Sequence, residues 1–133
     1  MSKQDKPTIL TGFLQAGFPS PGEDLEGSPL DTNELLVRNP SATFFMRVSG
    51  QSMRDAGIYE GDIVVVDKSV AAKNGDTVVA VVNGDYTLKK LGISKGSQPR
   101  LIPANSDFSE LELSGNDEMS VWGVVTFVIR SMR

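Results

Sequence analysis

Neither cysteine nor histidine occurs among the 133 residues. Without cysteine there is no disulfide framework, no thiolate nucleophile and no thiolate metal site. Without histidine, a Ser-His-Asp triad and a Cys-His pair are excluded as well. Any metal would need oxygen ligands alone, and no EF-hand spacing supplies them, so neither a metal nor another cofactor is expected. Long apolar runs are also missing. The longest, Ile63–Val66 and Val78–Val82, fall far short of a bilayer span of about 20 residues. Met1–Pro7 leads into no apolar signal segment, which predicts a cytoplasmic protein without a membrane partner. Nor is there an excess of positive charge. The net charge of −4 argues against a dedicated nucleic-acid binder, and direct sequence-specific DNA binding is not expected.

What remains is enough for one small domain. A hydrophobic fraction of 39% over this length supports a single core. Residues 1–30 read instead as a flexible arm. They hold Pro7, Pro19, Pro21 and Pro29, with Gly12, Gly17, Gly22 and Gly27 between them. Proline removes backbone donors and glycine raises the entropy of ordering. Residues 20–29 are polar and acidic and should be mobile. Inside the arm lies an apolar island, Phe13-Leu14-Gln15-Ala16-Gly17-Phe18. Its small-small bond, Ala16-Gly17, is easily threaded through a narrow cleft. Alternatively, Phe13, Leu14 and Phe18 simply anchor the arm.

Residues 31–133 read as a β-rich domain. One short helix opens it, with Asp31 as cap, Glu34 completing a capping box, Leu35, Leu36 and Val37 on the buried side, and Asn39-Pro40 as the stop. Strands are expected at Thr43–Val48, Asp62–Asp67, Thr77–Val82, Tyr86–Leu91, Arg100–Ile102, Leu111–Leu113 and Val121–Ile129, all rich in β-branched or apolar residues. Asn83-Gly84 between two of them predicts a type I′ hairpin. Gly61-Asp62 and Gly75-Asp76 mark further turns. The pattern implies a mainly β fold, a sandwich or partly closed barrel.

With histidine and cysteine gone, a serine activated by a neutral lysine is one of the few hydrolytic designs left. Ser52 lies between Gly50 and Gly57, which allow a sharp turn in which its own N–H could face an oxyanion. Lys89 and Lys90 follow the hairpin between Leu88 and Leu91. Burial of a lysine disfavours the ammonium, at about 1.4 kcal/mol for each unit of pKa lost. Leu91 shares a face with Lys89 and Leu88 with Lys90, so alternation leaves open which one faces inward. A polar turn and a solvated lysine edge are the plain alternatives.

Several runs together resemble one family, the LexA/UmuD group of Ser-Lys self-cleaving proteins, and within it the UmuD-like members. They are Ala16–Pro21, Asn39–Thr43, Ser49–Met53, Gly61–Asp67, Thr87–Leu91, Leu101–Asn105 and Trp122–Val125, in this order and spacing. The resemblance implies a LexA/signal-peptidase-like β-fold with Ser52 as nucleophile, Lys89 as general base and Ala16-Gly17 as the bond cut. Arms of this group carry Cys-Gly or Ala-Gly at that point, and this chain has Ala-Gly. It further implies activation by the RecA filament on single-stranded DNA during the SOS response. The trimmed homodimer would then serve a UmuC-like Y-family enzyme as accessory subunit of the error-prone translesion DNA polymerase V. Two other readings are a non-catalytic interaction module for polymerase and RecA filament, and the C-terminal domain of a repressor.

Overall fold

The computed structural model describes residues 5–10, 14, 16–17, 27–110, 113 and 117–133. The chain divides into two compact units, Met1–Arg38 and Asn39–Arg133.

In the first unit, β1 (Thr8–Leu10) pairs antiparallel with β2 (Gly27–Pro29), Ile9 opposite Ser28. The Leu30 N–H donates to the Pro7 carbonyl at 2.7 Å, and Lys6 pairs with Asp31 at 3.4 Å. Neither strand is among those expected from the sequence. Helix α1 (Thr32–Leu36) begins as anticipated at Asp31, whose carboxylate accepts the Asn33 and Glu34 N–H groups at 2.9 and 3.4 Å. Its expected buried side is corrected: no residue of α1 is buried, and Leu35 is 45% exposed. A helix of five residues is too short to carry an apolar stripe. It ends at Leu36, before Asn39-Pro40, and Pro40–Ala42 forms a separate 3₁₀ turn.

The second unit is one six-stranded antiparallel sheet: β3 (Thr43–Arg47), β4 (Ile63–Asp67), β5 (Thr77–Val82), β6 (Asp85–Gly92), β7 (Arg100–Ile102) and β8 (Met119–Ile129). The spatial order is β3-β4-β8-β5-β6-β7. The fold is mainly β, as the composition of these segments requires, and the sheet stays open rather than closing into a barrel. Of the expected strand Leu111–Leu113, only Leu113 lies within the described residues, and it has no regular structure.

Period-two alternation distributes the core. Val79 joins Met53, Ile58, Val64 and Val66 in one buried cluster, while its neighbours Val78 and Ala80 join Leu91, Leu101 and Val124 in another. The long central strand β8 serves both, pairing with β4 on one side and β5 on the other. Gly123 lets β8 approach β4 closely, because a Cβ there would meet Val66 Cγ1 at 2.5 Å. The β5–β6 turn is the hairpin expected of Asn83-Gly84, with φ of 50° and 87°.

Candidate active site

The link from β3 to β4 carries Ser52. Its base is closed by two backbone bonds: the Val48 N–H donates to the Asp62 carbonyl and the Gly61 N–H to the Val48 carbonyl, both at 2.8 Å. Gly50 turns the chain with φ of 91°, a region open to glycine. Met53, 2% exposed, plunges into the Val64–Val66–Val79 cluster. Burial of that side chain leaves its neighbour Ser52 at the rim of the core. A 3₁₀ turn, Arg54–Ala56, follows and is ended by Gly57 at φ 80°.

Two further fixings hold this link. On its upstream side, the segment after β7 reaches in: the Ala104 carbonyl accepts the Asp55 N–H at 2.6 Å, and Asn105 Nδ2 donates to the Gln51 carbonyl at 2.7 Å. On its downstream side, Arg130 from the end of β8 grips Asp62 in a bidentate pair, Nε to Oδ1 at 2.7 Å and Nη2 to Oδ2 at 2.6 Å. The same Nη2 donates to the Gly57 carbonyl at 2.7 Å, and the guanidinium stacks 4.4 Å above the Tyr59 ring. Asp62 is only 2% exposed, and its bonds to Arg130, helped by the Tyr59 N–H, hold its carboxyl below the usual 3.8.

Lys89 arrives from β6. The β5–β6 register sets it opposite Val78, half-buried, while Lys90 is exposed. The ambiguity left by alternation is thereby resolved, with Lys89 on the face of buried Leu91. Its Nζ donates to Ser52 Oγ at 2.9 Å. Burial pushes the Lys89 pKa below the ordinary 10.5. Among the described residues no carboxylate forms a salt bridge with it.

Both groups line a cleft of about 280 Å³ walled by Met46, Val48, Tyr86 and Leu88. On β6, residues 85–89 pair only with β5, since β7 joins from Lys90 onward. The described structure thus leaves a stretch of strand edge along the cleft wall, a place where an extended peptide can add.

A profile of the family described as Peptidase S24-like matches residues 8–126. The chain belongs to the S24-like peptidase family. Protein MucA of Salmonella typhimurium is 44% identical over 114 residues, 85% of this chain and 77% of MucA. Protein ImpA of Escherichia coli is 41% identical over 125 residues, 94% and 84% of the two chains. Protein SamA of Salmonella typhimurium is 38% identical over 132 residues, 98% and 89%. These are UmuD-family proteins, in keeping with the resemblance drawn from the sequence. Among the described residues, no helix is long and apolar enough to cross a membrane.

In this S24-like chain, Ser52 and Lys89 come together, whereas Ala16 and Gly17 belong to the other unit. Ala16 and Gly17 are exposed, Gly17 at φ of 104°, and Leu14 is fully exposed. Phe13, Gln15 and Phe18 of the apolar island lie outside the described residues. Two features of the site escaped the sequence reading as individual residues: Asn105, which sat within one of the family-like runs, and the Asp62–Arg130 pair, whose members are 68 residues apart.

Proposed function

We propose that this S24-like protein is a self-cleaving serine peptidase that removes its own arm at Ala16-Gly17. The observation that carries this is the 2.9 Å approach of Lys89 Nζ to Ser52 Oγ, with the lysine's pKa lowered by burial and no salt bridge to its charge among the described residues. Neutral Lys89 takes the Ser52 proton, and Oγ attacks the Ala16 carbonyl carbon. The Ser52 N–H faces the oxyanion that forms. Lys89 then gives its proton to the Gly17 nitrogen as the peptide bond breaks, leaving Ala16 esterified to Ser52. A water molecule, deprotonated by Lys89, attacks that ester, and as the Ala16–Ser52 bond breaks Lys89 returns the proton to Ser52 Oγ, releasing residues 1–16 with a new carboxylate at Ala16. The edge of β6 left open among the described residues supports entry of the arm as an added strand.

The wider role follows from membership beside UmuD-family relatives. Gly17–Arg133 acts as a homodimer and accessory subunit of an error-prone Y-family translesion polymerase in the SOS response to DNA damage. Binding of the RecA–single-stranded DNA filament favours the conformer with the arm in the cleft, which requires only that it bind that conformer more tightly.

Intact mass against time tests the chemistry, at neutral pH and at about pH 10, near lysine's ordinary pKa. The expected result is loss of residues 1–16. Its rate should rise tenfold per pH unit and level off at an inflection below 10.5, because only neutral Lys89 is a base. Ser52→Ala should stay whole. A wild-type chain uncut at both pH values, and still uncut with activated RecA filament, would favour the interaction-module reading. Gly17→Pro should also stay whole. Proline removes the N–H of the bond to be cut, and its φ near −65° cannot match 104°. Continued loss of residues 1–16 from that variant would move the cut elsewhere.

A further inference from the structure

Asn105 has no place in the proton transfers above, yet it is 4% exposed and its side chain ends beside the nucleophile. Its Nδ2 donates to the carbonyl of Gln51 at 2.7 Å, and the Arg54 N–H donates to the same oxygen at 3.2 Å. The amide is itself held: Oδ1 accepts the Asp107 N–H at 3.0 Å, and the Asn105 carbonyl accepts the Phe108 N–H at 3.0 Å. Only one end of the amide is therefore free to donate, and it points at Gln51.

The Gln51 carbonyl and the Ser52 N–H are the two ends of one peptide unit. That unit is planar and trans, so its C=O and N–H point in opposite directions. Fixing the oxygen fixes where the N–H points. Among the described residues the Ser52 N–H donates to no acceptor, which leaves it available for a transient negative charge. Donation into the carbonyl also polarises the unit and strengthens the N–H at its far end.

Building on the self-cleavage reading, we propose that Asn105 is a positioning residue that aims the Ser52 N–H at the oxyanion. It touches neither substrate nor Lys89 and acts through the Gln51–Ser52 peptide. Asn105→Asp keeps the shape and the Asp107 bond but sets a carboxylate oxygen against the Gln51 carbonyl. Asn105→Ala removes the contact without a new charge.

The experiment follows arm loss against pH for the full chain and both variants, with a thermal melt to establish that each folds. The Ser52 amide is followed by ¹H–¹⁵N NMR in the Ser52-containing chain. In a folded variant the alkaline plateau should fall by about 10²-fold, the usual worth of one oxyanion donor. In Asn105→Ala, which adds no charge near Lys89, the inflection should stay in place, and in both variants the Ser52 amide resonance should move. A general loosening of the site would shift the inflection of Asn105→Ala together with its plateau, and that result would overturn the proposal. Arm loss at the wild-type rate in both variants, or an unmoved Ser52 amide, would overturn it too. If the wild type is itself never cut, the self-cleavage reading fails, while the amide resonance still decides whether Asn105 sets this peptide.

Discussion

Lys89→Ala is expected to slow arm removal by about 10²–10⁴-fold or more, the range a positioned acid–base group contributes, while the fold stays as stable as the wild type or becomes more so. The two halves of this result have one cause. Burial would make Lys89 a usable base by penalising its charge, and that penalty falls on the folded state. Its sign can be read from the pH dependence. The folded pKa lies below 10.5, so between the two values the unfolded chain holds the proton more firmly than the folded chain. Wild-type stability should therefore gain a contribution as pH climbs through that window, and Lys89→Ala should lack it. Thermal unfolding of both proteins across alkaline pH, beside intact mass, measures both effects. A clear drop in the variant's Tm at neutral pH would mean that Lys89 is a structural residue, and the proposed chemistry would lose its base.

Arg130→Ala should cost clearly more stability than the replacement of Arg54 or Arg100 by alanine. Arg54 and Arg100 pair with carboxylates that are themselves exposed, and such pairs contribute little. Arg130 is different because its partner Asp62 is buried, so removing the guanidinium strands a carboxylate away from water. The Gly57 carbonyl loses its donor at the same time. Asp62 has a depressed folded pKa, so its contribution is present above the unfolded value and fades as pH falls through the folded one. The gap in Tm between wild type and Arg130→Ala should accordingly be wide at neutral pH and narrow in acid. Arg130→Ala combined with Asp62→Asn should recover part of the loss. Equal melting of Arg130→Ala and wild type at neutral pH would show that the pair contributes nothing.

The local devices of this chain were legible because they are written in neighbouring residues. Asn83-Gly84 announces its turn, Asp31 its cap, and the valine-rich runs their strands. What lay hidden depends on partners distant in sequence. Lys89 and Lys90 alternate equally well, and only the register against Val78 separates them. Asn105 sits in no periodic pattern, and nothing near it points to Gln51, 54 residues earlier. The strands β1 and β2 are three residues each, and β2 is Gly-Ser-Pro, a poor strand former by composition. Only pairing with Thr8–Leu10 makes it one. The candidate nucleophile and base, Ser52 and Lys89, could be named through the family resemblance, since residue types and alternation alone left Lys89 and Lys90 open. The pieces that aim them could not.

The small β1–β2 ladder bears on how a cut would be felt. Ala16 and Gly17 lie in the sequence between the two strands, so severing their bond would cut a connection whose ends remain clasped. The severed piece would still be attached by three paired residues, the Pro7–Leu30 bond and the Lys6–Asp31 pair. Chemistry and departure then run on separate clocks, the first set by Ser52 and the second by how fast the clasp frays. So short and exposed a ladder cannot hold once its tether is broken, since the fragment's local concentration collapses to that of the bulk. The molecule would work as a ratchet: each copy passes once, after a brief lag, and does not return.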